Sequence, residues 1–201
     1  IAKCNKANVQ SSLATIDSLE IGHTGQTSGY SIPSSKSEEN LIRCALKSAN
    51  QEPNDISYIE ASANGSRLGD AAEYSALKKV FSELKRDHIF MGSVKANIGH
   101  LEAVSGMSQI IKTILMLKYK KIVKTINIDE INSLINTTDS KLKIIEEDID
   151  LDYSKKLTHI LINNFAAGGS NASLVISDAL PQSDDSLVAD GESDNAVWLL
   201  S

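Results

Sequence analysis

The sequence predicts an α/β fold, a mixed sheet with helices on both faces. Three observations lead there. Strand-like and helix-like patterns alternate along the first part of the chain, in the order βαβαβα. Two apolar strands joined by a glycine-containing turn follow at 158–177 and read as a hairpin. Between them, residues 101–119 carry Val104, Met107, Ile110, Ile111, Ile114, Leu115 and Leu117, which wrap most of a helical circumference. A helix apolar nearly all round is buried between layers, so more than three layers are implied.

Each element has its own signal. Thr15, Ile16, Leu19 and Ile21 give 13–21 β-type content, ending at a Gly/Ser/Thr loop over 22–35. Ser35 and Glu38 form a capping box before Leu41, Ile42, Ala45, Leu46 and Ala49, which recur at helical spacing. Cys44 falls on the apolar side of that helix. Pro53, Asn54 and Asp55 make a turn, and 56–61 a short strand. Asp70 and Glu73 make a second capping box, with Tyr74, Leu77, Phe81 and Leu84 on one helix face. Residues 89–93 form another short strand. Residues 122–128 and 143–146 read as edge pieces joined by a polar insertion.

Composition removes several function classes. Hydrophobic residues make up 41% of the chain, enough for a globular core. The net charge is −6, and no Lys/Arg cluster is interleaved with aromatics, so nucleic acid is not an expected partner. No apolar run approaches the roughly 18 residues that read as a membrane span, and no signal peptide is recognisable. A cytoplasmic protein is expected. Cys4 and Cys44 have no metal or redox spacing, and His23, His88 and His159 share no ligand spacing, so no metal is expected. Gly22-His23-Thr24-Gly25 lacks the ending of a phosphate loop.

Three motifs carry chemistry. Residues 60–70 read E-A-S-A-N-G-S-R-L-G-D, residues 92–103 read G-S-V-K-A-N-I-G-H-L-E-A, and residues 164–173 read N-F-A-A-G-G-S-N-A-S. They resemble, in order and spacing, the patterns E-A-H-G-T-G-T-x-L-G-D, G-S-V-K-x-N-I-G-H-x-E-A and S-F-G-x-G-G-[ST]-N-A-H. These belong to the C-terminal half of β-ketoacyl synthase domains of modular polyketide synthases. The resemblance spans 13–177. It implies a thiolase-like layered α-β-α-β-α fold, with this chain supplying the C-terminal half. The loop variant at 60–66 points to the type that uses separate acyltransferases.

The resemblance also implies roles. His100 stands where the family hydrogen-bonds the extender thioester and its enolate, and Lys95 where a lysine supports the histidines. A donor aimed at developing negative charge suits that chemistry. Ser62 replaces the family's first active-site histidine. Serine keeps a donor and an acceptor but loses the ring, its reach and its charge change near neutral pH. Removing one such donor typically costs ~100–1000-fold in rate, so decarboxylative condensation is expected to fail while acyl transfer survives. An active variant using Ser62 and a water is the alternative.

Asn64 and Ser66 take the places of two threonines that contact the pantetheine arm; a purely structural turn is the other reading. Phe165 matches the aromatic at the acyl-pocket gate, or is ordinary core. Ala167 is small where many relatives have a second Phe. No T-A-C-S-S nucleophile segment is present.

The expected organisation is a connecting segment at 1–12, the half-domain at 13–177, an acidic linker at 178–195 and the start of a further segment at 196–201. A chain starting at Ile1 suggests a fragment or processed piece. No bound cofactor is expected; acyl-phosphopantetheine would arrive on an acyl carrier protein. The other expected partners are an N-terminal half carrying the cysteine and a second copy of the completed domain. Three functions stay open: non-elongating acyl transfer, a docking half-domain joining synthase polypeptides, and an ordinary elongating ketosynthase.

Overall fold

The computed structural model describes residues 2–3, 12–27, 29, 32–151, 158–178 and 198–200. The strands are β1 (Ala2–Lys3), β2 (Ala14–His23), β3 (Ile56–Glu60), β4 (Ile89–Gly92), β5 (Lys121–Ile122), β6 (Leu142–Ile144), β7 (Ile149–Asp150), β8 (His159–Phe165), β9 (Ser170–Asp178) and β10 (Trp198–Leu200). The helices are α1 (Ser35–Ser48), α2 (Arg67–Val80), α3 (Lys95–Ile98) and α4 (Ser105–Tyr119). Eight strands form one sheet in the order β1-β10-β2-β9-β8-β3-β4-β6; β5 and β7 pair separately. The β8-β3-β4-β6 side is parallel and the β1-to-β8 side antiparallel. The mixed sheet is therefore as expected.

Side chains alternate across the sheet, as strand geometry requires. Leu161 and Val175 join Ile42, Leu46, Ile59, Leu77 and Phe81 in a core beneath α1 and α2. Ile160, Ile162, Leu174 and Ile176 join Tyr58, Met116 and Leu117 in a second core beneath α4. β3 is buried along nearly its whole length because parallel strands are covered on both faces. Gly92 is required at the end of β4: a Cβ there would run into the Tyr58 hydroxyl and Thr125.

Several boundaries differ from the sequence expectation. Ser34, not Ser35, caps α1, its hydroxyl accepting from the Ser37 amide at 3.3 Å. Ser66 caps α2, accepting from the Gly69 amide at 3.2 Å, so that helix starts a turn before Asp70. In both cases a serine earlier in the chain satisfies the first free amides. Cys44 is exposed rather than on the apolar side. β8 continues to Phe165 and β9 starts at Ser170, so the glycine-containing turn of the hairpin is confined to 166–169. The stretch 122–128 is strand only at Ile122. Most of the segments at 1–12 and 178–195 lie outside the described residues. Within the expected further segment, Trp198–Leu200 pairs with β2 in this same sheet.

The expected long buried helix is the largest difference. The helix expected over 101–119 begins as a 3-10 turn at Glu102–Val104 and becomes α4 only at Ser105, with the short α3 ahead of it. Moreover, α4 buries polar residues in its first half and the apolar Met116 and Leu117 at its end. Its buried face begins with Ser105, Gln109 and Thr113, all but inaccessible. Met107, Ile111 and Leu115, at helical spacing on the outer face, are 47%, 51% and 45% exposed. A bulge between Ile16 and Ser18 in β2 turns Leu19 and Ile21 to the α4 side, where they are exposed too. The sheet thus has one finished face, under α1 and α2, and one apolar outer surface over α4.

Between α1 and α2 lie two buried carboxyls, Glu38 and Glu73. Glu38 Oε2 has no hydrogen-bond partner. Burial pushes the Glu38 carboxyl up from 4.5 to about 8, and the charge of Glu73 adds to the push. Asp17 on β2 is pushed up to about 6, chiefly by burial.

Two outcomes are expected from this packing. Burying each large apolar side chain contributes about 1.5–3 kcal/mol, so the chain alone should self-associate through the α4 face. A monodisperse, cooperatively unfolding monomer at micromolar concentration, seen by light scattering and calorimetry, is the contrary result. Glu38 ionises freely when unfolded but resists ionisation when folded, so stability falls as pH rises from about 4.5 to about 8. Glu38→Met should flatten that fall. The difference from parent is read above pH 6, beyond the Asp17 titration, from denaturant midpoints of the complete domain. An unchanged slope contradicts it.

Candidate active site

β3 and β4 end side by side, with Glu60 opposite Gly92. The chain then leaves the sheet at Ser62 on one side and Val94 on the other. Two buried carboxylates hold these exits. Glu60 Oε1 accepts the Val94 amide at 2.6 Å, and Oε2 accepts Lys112 Nζ at 2.7 Å and the Tyr58 hydroxyl at 3.1 Å. Burial raises the Glu60 carboxyl above its ordinary range, while Lys112 works in the opposite direction. Glu73 of α2 reaches the other exit. Its Oε1 accepts the Ser62 amide at 2.8 Å and Asn163 Nδ2 at 3.3 Å; its Oε2 accepts the Ala63 amide at 2.9 Å. Burial raises Glu73 as well, and the amides pull it back. Ala63 itself has φ 37°, an uncomfortable value for a residue with a Cβ, which these bonds help to hold.

Ser62 is 2% exposed. Its Oγ accepts the Phe165 amide at 3.0 Å and donates to Asn64 Oδ1 at 3.1 Å. Asn64 Nδ2 in turn donates to the Phe165 carbonyl at 2.8 Å. Lys95 Nζ donates to the Ser62 carbonyl at 2.5 Å. Burial lowers the Lys95 ammonium from its ordinary value, against the charges of Glu73, Glu60 and Asp70. Ser62, Asn64, Lys95 and Phe165 are thus brought into one bonded group.

His100 lies just past Gly99, whose φ of 77° turns the chain. The Glu102 amide donates to His100 Nδ1 at 2.9 Å. In the neutral ring the proton therefore sits on Nε2, which is a donor. Ser105 Oγ lies 3.0 Å from the same Nδ1 and donates to the Glu102 carbonyl at 2.7 Å, fixing the turn. His100 is exposed. It shares with Lys95 and Asn64 the lining of a cavity of about 1210 Å³, to which the segment from Thr125 onward also contributes. Ser62 and Phe165 are not among the lining residues.

Ser66 and Ala167 stand apart from this group. Ser66 is exposed and caps α2. Phe165 is buried in the core under α1 and α2, while Ala167 is exposed on the hairpin turn. Three other residues matter that motif reading passed over. Gln109 of α4 donates to the Ala61 and Asn163 carbonyls at 3.0 and 2.8 Å and accepts from Asn164 at 3.0 Å. It ties α4 to both motif strands. The signal was a polar residue inside an apolar run. His23 Nδ1 accepts the Gly25 amide at 3.0 Å, and Nε2 donates to the Gly168 carbonyl at 3.1 Å, steadying the hairpin turn. Glu73 had been read only as half of a capping box. Among the described residues, no group of three or more His, Cys, Asp or Glu is disposed to hold a metal ion, and no helix is long and apolar enough to cross a membrane.

Comparison with known proteins agrees with this geometry. Residues 13–129 match the family model described as beta-ketoacyl synthase, C-terminal domain. Polyketide synthase PksM of Bacillus subtilis is 32% identical over 182 residues, which are 84% of this chain and 4% of PksM. The highly reducing polyketide synthase anuA of Penicillium roqueforti is 34% identical over 157 residues, 78% of this chain and 7% of that protein. The solved ketosynthase from module 6 of the Bacillus subtilis bacillaene synthase is 32% identical with a TM-score of 0.78, over 84% of this chain and 31% of that one. The oxazolomycin ketosynthase domain OzmH KS7 of Streptomyces albus is 27% identical with a TM-score of 0.81, over 89% of this chain and 33% of that one. The chain therefore spans a small fraction of these synthases and about a third of the solved ketosynthase chains. Its mixed sheet and helices are the thiolase-like fold of those structures. The three motifs, the strand ends that present them and these matches place the chain in the β-ketoacyl synthase family, as its C-terminal domain.

Proposed function

We propose that this chain is the C-terminal half of a polyketide synthase ketosynthase that transfers acyl groups without elongating them. The observation that carries the reading is the engagement of Ser62. Its hydroxyl is buried, already paired to Phe165 and Asn64, and absent from the cavity lining. His100 lines the cavity with Nδ1 taken up by the Glu102 amide and Nε2 left to donate, while the Ser62 hydroxyl is engaged by Phe165 and Asn64.

Acyl transfer needs less than condensation. A cysteine thiolate of the N-terminal half attacks the carrier-bound thioester and releases the pantetheine thiol. The acyl group leaves by the reverse step onto the next carrier thiol. Condensation instead requires a malonyl thioester to lose carbon dioxide, leaving an enolate whose oxygen carries the charge. One donor, His100, meets that charge here, and two histidines meet it in the family pattern. Lys95 supports the electrostatics behind His100. Asn64, at the cavity, and Ser66, whose hydroxyl accepts from Gly69 and can still donate, are assigned to the pantetheine arm. Phe165 is assigned to the acyl-pocket gate, which the small Ala167 widens. The carrier protein, the cysteine-bearing half and a second copy of the completed domain are the proposed partners, in the cytoplasm. The variant loop at 60–66 supports a synthase of the type with separate acyltransferases.

A docking half-domain is the second reading. The exposed Met107, Ile111 and Leu115 favour it, since they fit a covering partner whether or not chemistry follows. Loading of an acyl thioester onto the completed domain, followed by intact mass, separates the two.

The completed domain is expected to load acyl groups yet give no ketide product with malonyl-carrier; turnover comparable to an ordinary ketosynthase refutes the reading. Ser62→His is expected to raise carbon dioxide release by an appreciable part of ~100–1000-fold. The gain should vanish when His100→Ala is added, because the two donors act as a unit. A folded Ser62→His protein with no gain means that the pocket around position 62 does not admit the ring in a productive pose.

A further inference from the structure

We propose that Lys112 and Glu60 are positioning residues: their buried ion pair fixes the start of α3 and through it seats Lys95 and His100 at the cavity wall. Neither member of the pair lines the cavity, whereas Lys95 and His100 both do. The inference goes beyond the acyl-transfer reading above and does not depend on it.

Glu60 has no exposed surface, and the Lys112 side chain is 10% exposed. Lys112 reaches in from α4. Its Nζ donates to Glu60 Oε2 at 2.7 Å and to the Tyr58 hydroxyl at 3.1 Å. The Tyr58 hydroxyl donates in turn to the same Oε2 at 3.1 Å, which closes a triangle. Oε1 is left to accept the Val94 amide at 2.6 Å. A charged acceptor makes such a bond roughly twice as strong as a neutral one. The grip on Val94 therefore depends on the charge that Lys112 balances.

Val94 is where α3 starts, and the bonds beyond it leave little slack. Its carbonyl accepts the Asn97 amide at 2.9 Å and the Ile98 amide at 3.1 Å, and the Lys95 carbonyl accepts the Gly99 amide at 2.9 Å. His100 follows at once. Two further bonds join the exits of β3 and β4. The Ala61 amide donates to the Gly92 carbonyl at 2.8 Å, and Lys95 Nζ donates to the Ser62 carbonyl. A shift at Val94 carries both Lys95 and His100 with it.

Charge follows the same path. The ionisable groups facing Glu60 are Tyr58 on its own strand, Lys112 on α4 and Lys95 on α3; Glu73 and Asp70 of α2 also face Lys95. Burial works against the Lys95 ammonium, and the charges of Glu73, Glu60 and Asp70 support it. Deleting Lys112 removes a cation, which by itself lets Lys95 hold its proton more firmly. Acting through Glu60 reverses the sign: a buried carboxylate without its cation takes up a proton, and Lys95 loses a neighbouring anion. The direction of the change identifies the route.

The test uses the complete ketosynthase domain as parent, with Lys112→Met, Glu60→Gln and the double variant. Hydrogen exchange is followed at Val94 and, to detect global loosening, across β9. The Lys95 ε-methylene and the His100 ring are followed by NMR with carbon-labelled lysine and histidine, assigned through Lys95→Arg and His100→Asn. Each single variant should speed exchange at Val94 by about 10-fold, the loss of roughly one hydrogen bond, with β9 unchanged. Each should move the His100 ring signal, leave that of His23 in place, and lower the pH at which Lys95 titrates. The double variant should match Glu60→Gln in exchange at Val94, because the two residues share one path.

Unchanged exchange at Val94 in a folded variant overturns the anchoring. Equal acceleration at Val94 and β9 leaves a merely structural ion pair and overturns the positioning role. A His100 signal that stays in place overturns the seating of His100. A Lys95 titration that rises in Lys112→Met, or does not fall in Glu60→Gln, overturns the charge path. Should Lys112→Met fail to fold, the double variant leaves no buried charge unpaired, a replacement that folds commonly tolerate, and exchange at Val94 and the His100 signal decide there by the same readings.

Discussion

Everything at this site depends on two carboxylates placed where strands stop. A strand that leaves its sheet carries amides with no ladder partner, and buried amides must be paired. Glu73 takes those of Ser62 and Ala63, and Glu60 takes that of Val94. Both side chains are almost wholly buried, and burial raises both carboxyls. The arrangement is stable because each charge has several donors, including the Lys112 ammonium on Glu60. Removing one partner from such a group typically costs more than the pair contributes. The same two anchors set the start of α2, the position of Lys95 and the base on which Ser62 stands.

The second constraint is the helix α4. Its Gln109 and Thr113 face the sheet, and Gln109 satisfies carbonyls of Ala61 and Asn163 beyond the regular ladder. An apolar outer stripe of Met107, Ile111 and Leu115 makes no sense for a helix that ends in water. It does for a central layer, where the inner face ties motif strands together and the outer face meets another layer. The exposed Leu19 and Ile21 on the same side of the sheet extend that surface. Chemistry and incompleteness are thus linked: the helix that steadies the motif strands also carries the apolar surface.

Much of this was legible in the sequence, for physical reasons. The β3–α2 and β4 units, and the β8–β9 hairpin, announce themselves through apolar runs bounded by Gly, Asn and Ser. The motifs fixed the positions of Lys95 and His100 because backbone turns there need particular residues, such as Gly99 at positive φ. Caps were misplaced because Ser34, Ser35 and Ser37 are equally good local candidates, and only the tertiary path chooses among them. The uncovered stripe of α4 was hidden because an apolar circumference does not say which side is covered. The pairing of Ser62 with Asn64 and Phe165 was hidden for a different reason. It joins residues 103 and 101 positions apart, and no periodicity reports such contacts.

That last pairing changes what the serine means. Taken alone, a serine in place of an imidazole is a loss: less reach, no ring nitrogen, no proton exchange near neutral pH. In the fold it is also a gain, because its oxygen accepts the Phe165 amide and its proton goes to Asn64. A side chain that must serve both bonds cannot also turn toward the cavity without leaving a buried amide unpaired. The absence of the imidazole and the pairing of the Phe165 backbone thus meet at one atom, Ser62 Oγ.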